Sequence, residues 1–389
     1  MNVPKLRFKE FKNDWSPKNL SEVVAFSKGN SLSKSDLDEQ GSYPCILYGE
    51  LYTKYHEVIR KVFSKTNYIS DNIVKSKYGD ILIPASGETP IDISTSSCIL
   101  LDNVLLGGDI NILSPKNCDG RFISYMISNN KRKTIARVAQ GHSIVHLYSE
   151  NLKKVNLDIP LLSEQKKIAD MLELLDKKIE LQTRKIKALK LFKLSITQNI
   201  FNEKKLNDFQ SVTLEKILKP GSKIPVKNTS EYEKMTVKLN FKGLAKLETK
   251  KEMADTRPFY VRNENEIIIG KQNYFNGSIA KVTKDFKGCI CSNAIMSFTT
   301  INGVNVDYVL YYLSQKNYIN RRKFLANGTG QKELSEKEFL KFVIKLPSTQ
   351  IQNNISKKIS CVSNLLLLEN KKLTTLNNLK KGLLQNLFI

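Results

Sequence analysis

A chain of 389 residues with 41% hydrophobic side chains can hold two ordinary domains with packed cores, which argues against a disordered polymer. Sixty-two Lys and Arg stand against 38 Asp and Glu, and the resulting charge of +24 points to a polyanionic partner, nucleic acid first. No apolar run approaches the roughly 20 residues that span a bilayer, no signal peptide opens at Met1, and six scattered cysteines form no disulfide framework, so a cytoplasmic chain with reduced thiols and no membrane partner is expected.

Residues 1–159 read as a first globular unit. Its signals are Leu20-Ser21-Glu22-Val23, the strand-like Gly79-Asp80-Ile81-Leu82-Ile83, a short helix at Phe122–Met126, a turn at Gly141 and an alternating strand at Val155–Ile159. Residues 160–202 read as one long amphipathic helix, with Ser163 as its cap and Glu164 as an anion at its start. Its heptad seam runs Ile168, Leu172, Leu175, Ile179, Gln182, Ile186 and Leu189. After a linker at 202–208, residues 203–346 form a second unit with Asn265-Glu266-Ile267-Ile268-Ile269, a helix at Val309–Leu313 and a strand at Phe342–Leu346. Residues 347–389 repeat the long helix, with Thr349 and Gln352 in the form of a capping box and a seam of Ile355, Ile359, Val362, Leu366, Glu369, Leu373 and Leu376. About 37 residues make a rod of about 55 Å.

The chain is a duplication. Pro160 pairs with Pro347, and the same offset of 187 residues aligns Gln165 with Gln352, Ile168 with Ile355, Lys193 with Lys380, and Gln198-Asn199-Ile200-Phe201 with Gln385-Asn386-Leu387-Phe388. The period is far too long for a solenoid. The expected fold is therefore α+β: two globular domains plus two long helices packed as an antiparallel coiled coil, with approximate internal twofold symmetry.

Sequence is read by side chains on base edges, whereas phosphate contacts only position the duplex. Segments that occupy equivalent places in the halves but differ in side chains are thus the DNA-contact candidates. One set is Lys131, Arg132, Lys133 and Arg137 with Gln140, His142 and Ser143, opposite Arg321, Arg322 and Lys323 with Asn327, Thr329, Gln331 and Lys332. The other is Ser86, Glu88 and Thr89, opposite Lys271, Gln272, Asn273, Tyr274 and Asn276. Metal binding is not expected: His142 and His146 lack a third ligand nearby, and Cys289-x-Cys291 reads as buried strand. No Gly-x-x-x-x-Gly-Lys-[Ser/Thr] loop exists to cradle a triphosphate, and no Asn-Pro-Pro-aromatic run of an amino-methyltransferase.

A variable unit, then Pro160-Leu161-Leu162-Ser163-Glu164-Gln165-Lys166-Lys167-Ile168-Ala169 opening a long helix, then the whole plan again, resembles the specificity subunit of type I restriction-modification enzymes along the entire chain. The proline, Glu-Gln and following Ile are the family's signature; the second copy keeps Pro347, Gln352 and Ile355 but has Ile351 where Glu is usual. Gly328-Thr329-Gly330-Gln331-Lys332 also looks like the family's glycine-turn segment. The resemblance implies a non-catalytic subunit whose globular units are target recognition domains, each reading half of a split site in double-stranded DNA. It also implies two methyltransferase subunits that carry S-adenosylmethionine and restriction subunits that carry ATP, with no cofactor in this chain. The alternative from another class is a coiled-coil adaptor whose basic charge is incidental.

Overall fold

The computed structural model describes residues 3–141, 144–247, 257–326 and 333–389. Two compact units divide it: Met1–Arg184 with Asn370–Ile389, and Lys185–Glu369. Each unit thus owns one globular portion and part of both long helices, Leu162–Ile200 and Thr349–Asn386.

In the first unit a five-stranded sheet runs in the order Val24–Lys28, Ile110–Pro115, Ile81–Pro84, Ser97–Ile99, Val58–Ile59, antiparallel except for its last pair. Ile81, Leu82 and Ile83 are all fully buried, as befits a central strand covered on both faces. A second, four-stranded sheet is built on Tyr43–Ile46 and Leu105–Leu106. Trp15, Phe122, Tyr125, Ile168, Leu172, Leu384 and Phe388 share one core, so both long helices are packed into this unit.

The second unit repeats the plan with less sheet. Four strands run in the order Leu218–Pro220, Ile295–Thr300, Ile267–Gly270, Ile279–Lys281. In each unit an antiparallel ribbon joins the entry strand to the strand that precedes the long helix: Ser16–Asn19 with Asn156–Ile159, and Gln210–Thr213 with Val343–Leu346.

The helices run antiparallel within each unit. In the first, Asp176 binds Lys380 at 2.7 Å while the earlier residues Ile168 and Leu172 share a core with the later Leu384 and Leu387. In the second, Lys185 is ion-paired with Glu369, and Phe201 and Ile355 pack on one cluster. Every seam residue from Ile168 to Leu189 and from Ile355 to Leu376 is buried or half-buried.

The structure explains the helix signature and corrects the capping assignments. Gln165 donates to the Pro160 carbonyl at 2.9 Å and accepts from the Asp119 amide at 3.0 Å; Gln352 does the same with Pro347 at 2.8 Å and Asn305 at 2.9 Å. Each glutamine closes the proline turn and ties the helix start to its globular portion. Gln352 therefore makes no capping box, and the Thr349 hydroxyl donates instead to the Gly303 carbonyl at 2.7 Å. Ser163 lies inside the first helical turn and is no cap; the amides of Glu164 and Gln165 bond the Leu161 carbonyl. Glu164, 1% exposed, accepts from Arg7 at 2.8 Å and from the Trp15 indole at 3.4 Å. Ile351, 40% exposed, stands in its place in the second copy.

Candidate nucleic-acid interface

The two candidate segments of the first unit come together on a backbone frame. After the strand Ile81–Pro84, the Ala85 amide donates to the Asp109 carbonyl at 2.7 Å, and the Leu147 amide donates to the Ala85 carbonyl at 2.9 Å. Ser86–Gly87 then pair antiparallel with Val145–His146, and Gln140 and His146 exchange both backbone hydrogen bonds. These bonds hold together the chain on either side of Gly141. At Gly141 the backbone admits only glycine. Its φ of +121° and an ideal Cβ only 2.1 Å from the Ile144 carbonyl oxygen leave room for no other residue. Glu88, Thr89 and Gln140 are exposed on this frame, as are Ile144 and Tyr148. Lys133 and Arg137 are exposed on the adjoining helix Arg132–Val138.

The second unit repeats the frame. The Lys271 amide donates to the Ala294 carbonyl and the Leu334 amide to the Lys271 carbonyl, both at 3.0 Å. Gln272, exposed, donates to Glu333 at 3.0 Å, and Asn276 donates to Asn273 at 3.1 Å. Lys323 is exposed. His142, Ser143, Asn327, Thr329, Gln331 and Lys332 lie outside the described residues.

Several candidates are corrected. Tyr274 is fully buried, edge-on to Phe339, and donates its hydroxyl to the Leu313 carbonyl at 3.0 Å; burial pushes its pKa well up, and it is a core residue. Ser86 is 3% exposed and donates to the Asp109 carboxylate at 3.0 Å, so its hydroxyl holds the frame instead of facing DNA. Arg132 is committed to the Ile91 carbonyl at 3.0 and 3.2 Å, and Lys131 to Asp158 at 3.4 Å. Arg322 lies 3.6 Å from the centroid of the Tyr318 ring and donates to the Tyr318 carbonyl at 3.0 Å. Arg321 is ion-paired with Glu203.

Two positioning residues escaped notice in the sequence. Asp109 adopts a left-handed φ of 56° and supports both Ala85 and Ser86. Asn111, fully buried, donates to the Leu147 carbonyl at 2.9 Å and so fixes the far side of the same frame. The Gly107-Gly108-Asp109 turn and an asparagine between two isoleucines were the signals available.

Among the described residues no helix is long and apolar enough to cross a membrane. The family model for the type I restriction modification DNA specificity domain matches twice, over residues 12–191 and 201–378. The MjaX specificity subunit of a type I restriction enzyme from Methanocaldococcus jannaschii is 23% identical over 425 residues, covering 98% of this chain and 95% of that protein. The MjaVIII specificity subunit of the same organism is 32% identical over 126 residues, which cover 32% of this chain and 28% of that protein. The crystal structure of the S subunit of a type I restriction-modification system from M. genitalium shares the fold, with a TM-score of 0.67 and 18% identity over all of this chain and 99% of the other. Twice-matched family, duplicated fold and exposed polar loops on a repeated frame agree: the chain belongs to the specificity subunits of type I restriction-modification enzymes, the non-catalytic DNA-recognition component of those systems.

Proposed function

We propose that this chain reads a two-part site in double-stranded DNA, one part with each globular unit, and holds two methyltransferase subunits and the restriction subunits on its helices. The observation that carries this reading is the repeated frame, Asp109 to Ala85 to Leu147 and Ala294 to Lys271 to Leu334, which presents different side chains from the same backbone pattern. Glu88, Thr89 and Gln140 in the first unit, and Lys271, Gln272, Asn273 and Asn276 in the second, are the proposed base-side contacts. Asn and Gln suit paired hydrogen bonds to adenine. Lys133, Arg137 and Lys323 are proposed to meet phosphates. Of the candidates outside the described residues, His142, Ser143, Asn327, Thr329 and Gln331 are proposed to face bases and Lys332 phosphate.

S-adenosylmethionine and ATP are proposed to sit on the partner subunits, because this chain has no triphosphate loop and no amino-methyltransferase motif. The recognition domains are proposed to span 1–159 and 203–346, and the helical spacers 160–202 and 347–389. Replacing residues 1–159 by the equivalent domain of a relative tests the reading. Methylated sites mapped in the presence of the methyltransferase subunit should change in one half only, and a change in both halves would refute independent reading.

A further inference from the structure

The two copies treat one equivalent lysine differently. In the first unit Lys380 is bound by Glu57 at 3.0 Å and Asp176 at 2.7 Å, with the Tyr125 hydroxyl donating to Asp176 at 2.6 Å. Burial alone pulls the Lys380 ammonium down, but the two carboxylates outweigh it and hold the pKa up. The offset of 187 makes Lys193 its counterpart, and Lys193 has no carboxylate partner among the described residues. Burial lowers its pKa and nothing opposes that. The cause is visible in the facing helix. Asp170, Glu173 and Asp176 of the first long helix correspond to Lys357, Ser360 and Ser363 of the second, and Ser363 spends its hydroxyl on the Ile359 carbonyl at 2.8 Å.

Lys193 faces an open groove of about 1400 Å³ in the second unit. Eight lysines and arginines line it against one carboxylate, Glu203, and Arg321 already occupies that one. Arg322 is stacked on Tyr318, and Lys345 donates to the Phe209 carbonyl at 3.2 Å. Lys190, Lys193, Lys204, Lys316 and Lys341 remain without a carboxylate partner among the described residues. The walls also include the apolar surfaces of Phe201, Tyr311, Tyr312 and Leu325.

We propose that this groove receives an acidic, amphipathic segment of a protein partner, one of whose carboxylates meets Lys193 as Glu57 and Asp176 meet Lys380, so that the two copies are unequal docking faces. The fold itself identifies the ligand class: where the equivalent lysine is satisfied, carboxylates satisfy it. Apolar walls favour a polypeptide over a nucleic-acid backbone, which has no apolar side chains to lay against them. The proposal rests on the reading that methyltransferase subunits dock on this chain.

Titration of the full-length chain with purified methyltransferase subunit, followed by calorimetry and by the mass of the complexes formed, tests it. The wild type should bind two subunits. Lys193→Glu should weaken one binding step at least about tenfold and leave the other unchanged, while Lys193→Arg stays within about twofold of the wild type, since a charge-assisted bond is lost in the first variant and kept in the second. Thermal melting should be unaltered in both, because Lys193 gives up no internal partner; if the Glu variant fails to fold, Lys193→Ala serves the same comparison. Unchanged binding of both subunits by Lys193→Glu would overturn the proposal. So would a loss of DNA affinity with docking intact, which would make the groove a DNA face. A wild-type chain that binds no subunit would overturn the docking reading itself, and this proposal with it.

Discussion

Glu173→Gln should weaken the joint between the first long helix and its globular portion. Glu173 is 5% exposed and accepts from Arg121 at 2.8 Å, from Lys177 at 2.9 Å and from Arg60. Burial would raise its pKa, but hydrogen bonds from Lys177, Arg121 and Arg60 outweigh it and hold the carboxyl at about 2, against an ordinary 4.5. That difference is worth about 3 kcal/mol at most, and solvent around the half-exposed Arg60 and Lys177 reduces the usable part to about 1–2 kcal/mol. Because folding lowers this pKa, the stabilisation is fully present above 4.5 and is lost as pH falls toward 2. The chain has one tryptophan, Trp15, which is 2% exposed in the first unit's core, so its emission reports the unfolding of that unit. Urea unfolding at pH 7 should show the midpoint of Glu173→Gln lowered by about 0.5–1 M, taking a slope of about 2 kcal/mol per molar. Near pH 3 the curves of variant and wild type should approach each other. An unchanged midpoint at pH 7, or a gap that persists undiminished at pH 3, would refute the reasoning.

Lys133→Ala and Arg137→Ala should each weaken DNA binding without changing the preferred bases and should each reduce the slope of log affinity against log salt by about 0.9, measured by anisotropy over a salt series. Gly141→Ala should abolish reading of the first part of the site and leave the second intact, because its Cβ would lie 2.1 Å from the Ile144 oxygen; methylation mapping checks this. Tyr274→Phe should cost about 1–2 kcal/mol by orphaning the Leu313 carbonyl, seen as a lower melting temperature of the second unit, while the target sequence stays the same.

Periodicity made both long helices legible, since a stripe of seven positions alternating steps of four and three, present in each copy, leaves few other structures. The role of Gln165 and Gln352 was not legible. Their partners, the Asp119 and Asn305 amides, are 46 and 47 residues away in the chain, and a local rule assigned Gln352 to a cap instead. Tyr274 shows the same limit from the other side. A tyrosine among Gln272, Asn273 and Asn276 reads as one more DNA contact, yet burial was decided by Leu313, Phe339 and Phe342, which no short window contains. The Arg321-Arg322 pair looked like one basic patch, and tertiary structure split it into an ion pair with Glu203 and a guanidinium stacked on Tyr318. The departure at Ile351 was visible, and its reason appears only where Arg7 and Trp15 reach Glu164 in the first copy.

A duplicated recognition protein must keep one architecture while its halves come to read different bases, and the frames show how the two demands are separated. The bonds from Ala85 to Asp109 and from Leu147 to Ala85, like those from Lys271 to Ala294 and from Leu334 to Lys271, involve main-chain atoms alone. Any residue except proline supplies the same amide and carbonyl. Side chains at Glu88, Thr89 and Gln140, or at Gln272 and Asn276, can therefore be exchanged without loosening the frame that presents them. The constraint falls instead on backbone conformation, at Gly141 with its φ of +121° and at Asp109 with its φ of 56°. The exposed polar positions should therefore tolerate substitution, with a change of target where they meet bases, whereas Gly141 should tolerate almost none and Asp109 little besides asparagine and glycine, which adopt the left-handed region.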